Sequence, residues 1–301
     1  MWDGNEVWLV VAAGATFAAF PAWYATMFSG FYLLLLLLLF FLIVRVVSFE
    51  WREKGESPRW RRAWLWANAI GSAGIALIWG IALANLIHGV PLDSNGDYDG
   101  GLVDLFSAYT VFAGIAFVLL FAFHGSSYLT LRTTGDLLGR VRLAARRLAI
   151  PAAAVGAAFL IWTVAVAIDR NDKDVFPVVV PAVLGIAALA VAAFLVYRGR
   201  SGLAFTMTAL GTVAAVATLF TGLYPRVMVS SPDFANSLDV TGASSAHYTL
   251  AVMTVVALIV TPLVLLYQSW SYYVFRARVT GEEVRPPTEV LPRPTSGSPT
   301  S

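Results

Sequence analysis

Cysteine is absent from the 301 residues, and charge is scarce. Without cysteine there are no thiolate nucleophiles, no disulfides and no cysteine-held iron–sulfur clusters. The absence does not report the compartment. Histidine occurs three times. Charged residues make up 13% of the chain, where soluble proteins carry about 25%. That excludes an ordinary soluble domain. Nothing in the charge pattern supplies the basic face that nucleic acid requires, so no nucleic-acid partner is expected. What remains is apolar: 58% hydrophobic residues and a mean hydropathy of +0.74.

A helix needs about 20 apolar residues to cross the hydrocarbon of a bilayer. Eight stretches reach that length, at roughly 5–26, 29–49, 63–88, 105–128, 147–168, 177–197, 203–224 and 248–274. Pro21 breaks or kinks the first. The second, GFYLLLLLLLFFLIV, is apolar on every face, as lipid demands and water forbids. The fold class is therefore all-α: a polytopic membrane helix bundle of about eight transmembrane helices over residues 1–278. The tail 279–301, TGEEVRPPTEVLPRPTSGSPTS after its first residue, is rich in Pro, Ser and Thr and is expected to be a disordered cytoplasmic segment.

Lysine and arginine mark the sides. One loop holds Arg52, Lys54, Arg59, Arg61 and Arg62, and the next but one holds Arg132, Arg140, Arg142, Arg146 and Arg147. Arg198 and Arg200 mark the third such loop, and Arg276 and Arg278 begin the tail. Segment 89–104 carries no lysine or arginine but has Asp93, Asp97, Asp99 and Asp104, and the other alternate loops hold only Arg170, Lys173 and Arg226. Basic loops stay in the cytoplasm, so both termini are expected there.

Ionisable groups inside a span cost about 2.5–3.5 kcal/mol at its centre and draw attention to function. Arg45 lies near the basic end of its span, where it can snorkel. His88 and His247 are placed at the opposite interface and His124 near the basic end of the fourth span. Three histidines at scattered positions make a poor ligand set, so neither haem nor metal is expected on this chain. Gly71, Gly74, Gly80, Gly185 and Gly211 suit close helix packing in lipid. The opening MWDGNEVW sets two acids ahead of the first span. Asp3 and Glu6 fit a capping box, Asp3 at the N-cap and Glu6 as the helix-capping residue at the third helical position. Asp3 equally suits a proton acceptor at the mouth of a buried path, and the two readings are compatible.

These stretches together resemble subunit II of the cytochrome bd-type quinol oxidases. WDGNEVWL followed by FAAFP and SGFY is similar to its early part, and HGSSYLTLRTTGDL to its middle. YPRVMVSSPDFANSLDVTGASSAHYTLAVMTVVALIVTPLVLLYQSWSYY is similar to its C-terminal part. The matches run in family order along nearly the whole chain. Family members carry a further acidic helix ahead of the WDGN motif. Here Met1 adjoins Trp2, so nine helices in the family become eight, as in a truncated chain or a short form.

The resemblance implies a non-haem-ligating subunit of a terminal quinol:oxygen oxidoreductase, active only as part of the complex. It implies a haem-bearing subunit I as partner, holding haems b and d, with quinol as the substrate of the complex. Membrane lipid surrounds both, and a small accessory subunit is an optional partner. It implies a quinone or lipid site in subunit II that no residue here locates. The location implied is the bacterial cytoplasmic membrane. Carried over by motif, Asp3 belongs to a proton path, Trp8 to an oxygen path, and Trp2 and Asn5 shape the motif. A secondary transporter would show matched halves with paired intramembrane charges, which the sequence lacks. A purely structural scaffold is the other alternative, and it would leave Asp3 as a cap alone.

Overall fold

A computed structural model describes residues 2–171 and 173–279, the side chains of Trp2 and Asp3 excepted. Apart from Val279, the tail expected to be disordered lies outside the described residues. The helices run in order as α1 (Trp2–Ala19), α2 (Pro21–Gly30), α3 (Tyr32–Lys54), α4 (Pro58–His88), α5 (Ala108–Arg132), α6 (Gly135–Asn171), α7 (Val175–Tyr197) and α8 (Ser201–Leu223). A short antiparallel pair, β1 (Arg226–Met228) and β2 (Leu238–Asp239), follows. The one-turn helix α9 (Val240–Ala243) then leads into α10 (His247–Val274). The chain is an all-α polytopic membrane bundle.

Seven of these helices, α3 to α8 and α10, are long and apolar enough to cross a membrane among the described residues. The eighth expected span, 5–26, is not one helix. Pro21 has no N–H to donate to the carbonyl of Phe17, and Phe20 adopts φ −133°, ψ 66°, outside the helical region. The stretch divides there into α1 and α2.

Helix starts follow local chemistry. Ser57 accepts from the Trp60 N–H at 3.1 Å, with Pro58 in the first position where its missing N–H is harmless. Ser107 caps α5 by accepting from the Thr110 N–H at 3.2 Å. Helix α6 is the longest, at 37 residues and about 55 Å. That exceeds the hydrocarbon thickness of about 30 Å. Its first turns, with Arg140, Arg142, Arg146 and Arg147, therefore extend beyond the apolar zone.

Helix α4 is the centre of the bundle, packed between α3 and α5 and touching α6 and α8. Its glycines bring backbones together. A Cβ on Gly80 would lie 2.6 Å from the Cα of Gly114, and one on Gly74 would lie 2.5 Å from the Phe41 ring. Gly185 and Gly211 serve the α6–α7–α8 contacts in the same way, against Leu160 at 2.9 Å and Leu189 at 2.7 Å. The stripe Phe31, Leu34 and Leu38 of the leucine-rich segment turns inward, while Leu33, Leu36, Leu37 and Leu39 face outward.

The loops at the acidic end pack together. The Val90 N–H donates to the Val229 carbonyl at 3.0 Å, and the Val229 N–H donates to Leu86 at 3.1 Å. Buried Asn85 donates to the carbonyls of Ile81 and Leu105, each at 2.9 Å. Asn171 donates to Ile87 and Gly222, joining the ends of α4, α6 and α8. At the opposite end, Val279 bonds with Arg132 and Thr134, which ties the segment after α10 to the end of α5.

Candidate functional site at the basic end of the first helix

The WDGN motif forms the first turns of α1. Helix α1 begins at Trp2, so Asp3 is its second residue, inside the first turn and not at the cap position expected for it. The side chains of Trp2 and Asp3 lie outside the described residues. Gly4 lets α10 approach: Gln268 Nε2 donates to the Gly4 carbonyl at 2.9 Å, and a Cβ there would meet the same nitrogen at 3.2 Å. Asn5 Oδ1 accepts from the Tyr272 hydroxyl at 3.3 Å. Asn5 and Gly4 thus hold α1 against α10. Trp8 is 36% exposed on the outer surface of α1.

Glu6 has a partner that the sequence did not reveal. Arg45 Nη1 donates to Glu6 Oε1 at 3.0 Å, with side chains 30% and 22% exposed. Arg45 therefore meets a carboxylate of the same chain and is only partly exposed. The pair lies at the basic end, where it links α1 to α3. Its two members are 39 positions apart, beyond the reach of any local sequence pattern. Removing one member leaves the other charge half-buried and alone, and removing both does not. Arg45→Met is expected to lower complex stability by about 1–2 kcal/mol after allowance for solvent screening. Glu6→Gln with Arg45→Met should restore part of it. Thermal melts of the three variants in detergent test this, and a double variant less stable than Arg45→Met would refute it.

Beyond this pair, towards the acidic end, lies an apolar cleft of about 640 Å³ between α1, α2, α3 and α4. Leu9, Thr16, Trp23, Leu35 and Trp79 are among its walls. No histidine lines it. His88 stacks on Tyr109 at 5.7 Å at the acidic end, and His124 Nδ1 lies 2.8 Å from Thr208 Oγ1, stacked on Phe205. His247 opens α10. Among the described residues, no three His, Asp or Glu side chains converge. Among the described residues the three histidines stand apart from one another.

Titration is perturbed in the loops of the acidic end. Asp93 is held below the usual carboxylate range because it accepts from the N–H groups of Asp97 and Asn95. Burial and the nearby Asp104 push the Tyr98 phenol up to about 12. Burial lowers Lys173, and Arg226 adds to the effect while Asp174 opposes it. These groups lie at the other end of the molecule from the WDGN turn.

Comparison with known proteins fits this geometry. The family model for cytochrome bd terminal oxidase subunit II matches residues 1–275. The chain belongs to that family. It is 38% identical over 287 residues to cytochrome bd ubiquinol oxidase subunit 2 of Bacillus subtilis, covering 94% of this chain and 83% of that protein. It is 32% identical over 323 residues to cytochrome bd-I ubiquinol oxidase subunit 2 of Escherichia coli K12, covering 96% and 85%. A probable cytochrome oxidase subunit 2 of Haemophilus influenzae is 32% identical, with 90% and 80% covered. The family places the chain among the subunits of an oxidoreductase complex of the membrane. The early, middle and C-terminal motifs read from the sequence all fall within the matched residues.

Proposed function

We propose that this chain is the non-haem-ligating subunit II of a quinol:dioxygen oxidoreductase, stabilising a haem-bearing subunit I and serving proton and oxygen access. The observation that carries the reading is the family match along residues 1–275. The surface supports it. No residue of α10 is buried, and α10 makes its main contact with α1. Both helices leave broad apolar faces uncovered among the described residues, as a subunit of a larger membrane assembly would.

Haems b and d belong in this reading to subunit I, and quinol is the substrate of the complex. Oxygen reduction consumes protons, and Asp3, in the first turn of α1 at the basic end, accepts them from the cytoplasm. Trp8 borders the oxygen route, with Trp2 and Asn5 shaping the turn. The apolar cleft beside Trp23 suits a lipid chain or a quinone tail. The membrane is the bacterial cytoplasmic membrane, with both termini inside.

Two measurements test this. The chain purified alone should show no haem in a pyridine haemochrome spectrum. Co-expression with subunit I should yield a complex that oxidises quinol with oxygen uptake. Stoichiometric haem on the isolated chain, or no complex, would overturn the assignment. For orientation, reporter fusions at Lys54 and Arg278 should register in the cytoplasm and one at Asp97 outside, and a reversed signal at any of the three would refute it.

A further inference from the structure

We propose that a small, partly open pocket among the basic-end termini of α5, α6, α7 and α8 binds a phosphate group, supplied by an anionic lipid headgroup or by free phosphate. The cavity measures about 120 Å³. Ser127 and Thr130 of α5, Arg142 and Arg146 of α6, the turn glycine Gly199 and Ser201 of α8 surround it. Arg142 and Arg146 are one turn apart and so share a face of their helix. Neither is ion-paired among the described residues, where the ion pair found is Glu6–Arg45. Both arginines are exposed, and together they set two positive charges at the rim of one small pocket.

The inner wall is fixed in place, and the rim carries the donors for an oxyanion. Ser127 is 1% exposed and Thr130 9%, so their hydroxyls are fixed in the wall and do not wave in solvent. Each donates its one proton to a carbonyl of its own helix, Ser127 to Phe123 and Thr130 to Ser127, so the side-chain donors left for an anion are Arg142, Arg146 and Ser201. Ala145 and Ala204, both fully buried, keep the floor shallow. Gly199 has φ +71°, the left-handed conformation that lets the chain reverse at once from α7 into α8. That reversal brings Ser201 to the rim. The N-cap position, Arg200, makes no side-chain capping bond, so the first-turn amides of α8 lack that partner. The Tyr197 hydroxyl donates to the Arg146 carbonyl at 3.0 Å and fixes α6 against the end of α7.

The space admits a tetrahedral oxyanion and is too small for a nucleoside. Guanidinium forks suit phosphate oxygens, which they bind in pairs. The extension of α6 beyond the apolar zone puts the cavity at headgroup depth. Basic pockets between transmembrane helices on the cytoplasmic side are where anionic headgroups bind. A bound phosphate would neutralise Arg142 and Arg146 and join four helix ends.

The test uses the purified, delipidated two-subunit complex. It is titrated with phosphatidylglycerol in neutral detergent, with a sugar-headed diacylglycerol of the same tails, and with sodium phosphate against sodium chloride at equal ionic strength. Thermal stability is the readout. Phosphatidylglycerol should stabilise saturably and the sugar lipid should not. Arg142→Gln with Arg146→Gln should weaken half-saturation about thirtyfold, from about fivefold per surface arginine. Lysine at both positions should keep most of the effect. Ser201→Ala, which leaves both charges in place, should weaken it several-fold. A saturable response to sodium phosphate that the glutamine pair removes would identify free phosphate as the source. Equal stabilisation by the sugar lipid, or an unchanged titration in the glutamine pair, would overturn the site.

Discussion

Asp3→Asn is expected to give a fully assembled complex whose quinol turnover is slowed by at least about tenfold, in keeping with the weight of a positioned proton carrier. The reasoning turns on what asparagine keeps and what it loses. Near a helix N-terminus, Asn satisfies free N–H groups about as well as Asp does. It cannot carry a proton near neutral pH. A residue that only supports the helix end would therefore leave assembly and oxygen uptake unchanged. A proton acceptor would leave assembly intact and slow turnover, with proton uptake slowed in a single-turnover experiment. Asp3→Ala loses both functions and does not separate them. Glu6 lies one turn on and pairs with Arg45 at 3.0 Å, so its charge is already balanced locally. It would not replace Asp3 without losing that pairing. An Asn variant that turns over at the parental rate with full haem content would reduce Asp3 to a structural residue.

Gly80→Leu is expected to abolish accumulation of the folded chain, and with it the complex. At Gly80 the central helix α4 crosses α5 backbone to backbone. An added Cβ would stand 2.6 Å from Gly114 Cα and 2.7 Å from the Ala113 carbonyl oxygen. No rotamer can relieve a clash with main chain. The two helices must separate, and the contacts of Ile81, Ala84 and Phe117 go with them. A cost of about 3 kcal/mol or more follows from overpacking alone. In lipid this contact has no hydrophobic replacement, because lipid tails are as apolar as the helices. Gly14→Leu is the matched comparison. Among the described residues, nothing outside its own stretch of helix lies within 4 Å of a Cβ there. The chain should then fold normally, and weakened co-purification with subunit I would mark the Gly14 face of α1 as the interface. Membrane-fraction immunoblots and haem content of the two variants make the comparison. Normal accumulation of Gly80→Leu would show that α4 and α5 do not cross as described.

By itself, the sequence determined that the chain is a membrane bundle, where seven of its spans run, how its charge divides between two ends and which family it joins. Each of these rests on a local quantity: apolar length, basic residues per loop, or a short motif such as WDGN. The centre of the bundle was not legible. The leucine-rich α3 is more apolar than α4, yet α4 is far more buried, and α10 is highly apolar with nothing buried at all. In lipid, hydropathy reports contact with acyl chains as readily as burial in protein. A helix surrounded by other helices instead needs Gly71, Gly74 and Gly80, which lower its hydropathy. The division of the first run at Pro21 was half legible: the proline predicts a break, but only the packing shows two helices. The tertiary structure alone decided that Glu6 meets Arg45, that His124 is bonded to Thr208 and that Arg142 and Arg146 border one cavity with Ser201. The first two pairings span 39 and 84 positions. No helical or strand period relates residues so far apart, so only the folded arrangement of the helices can bring them together.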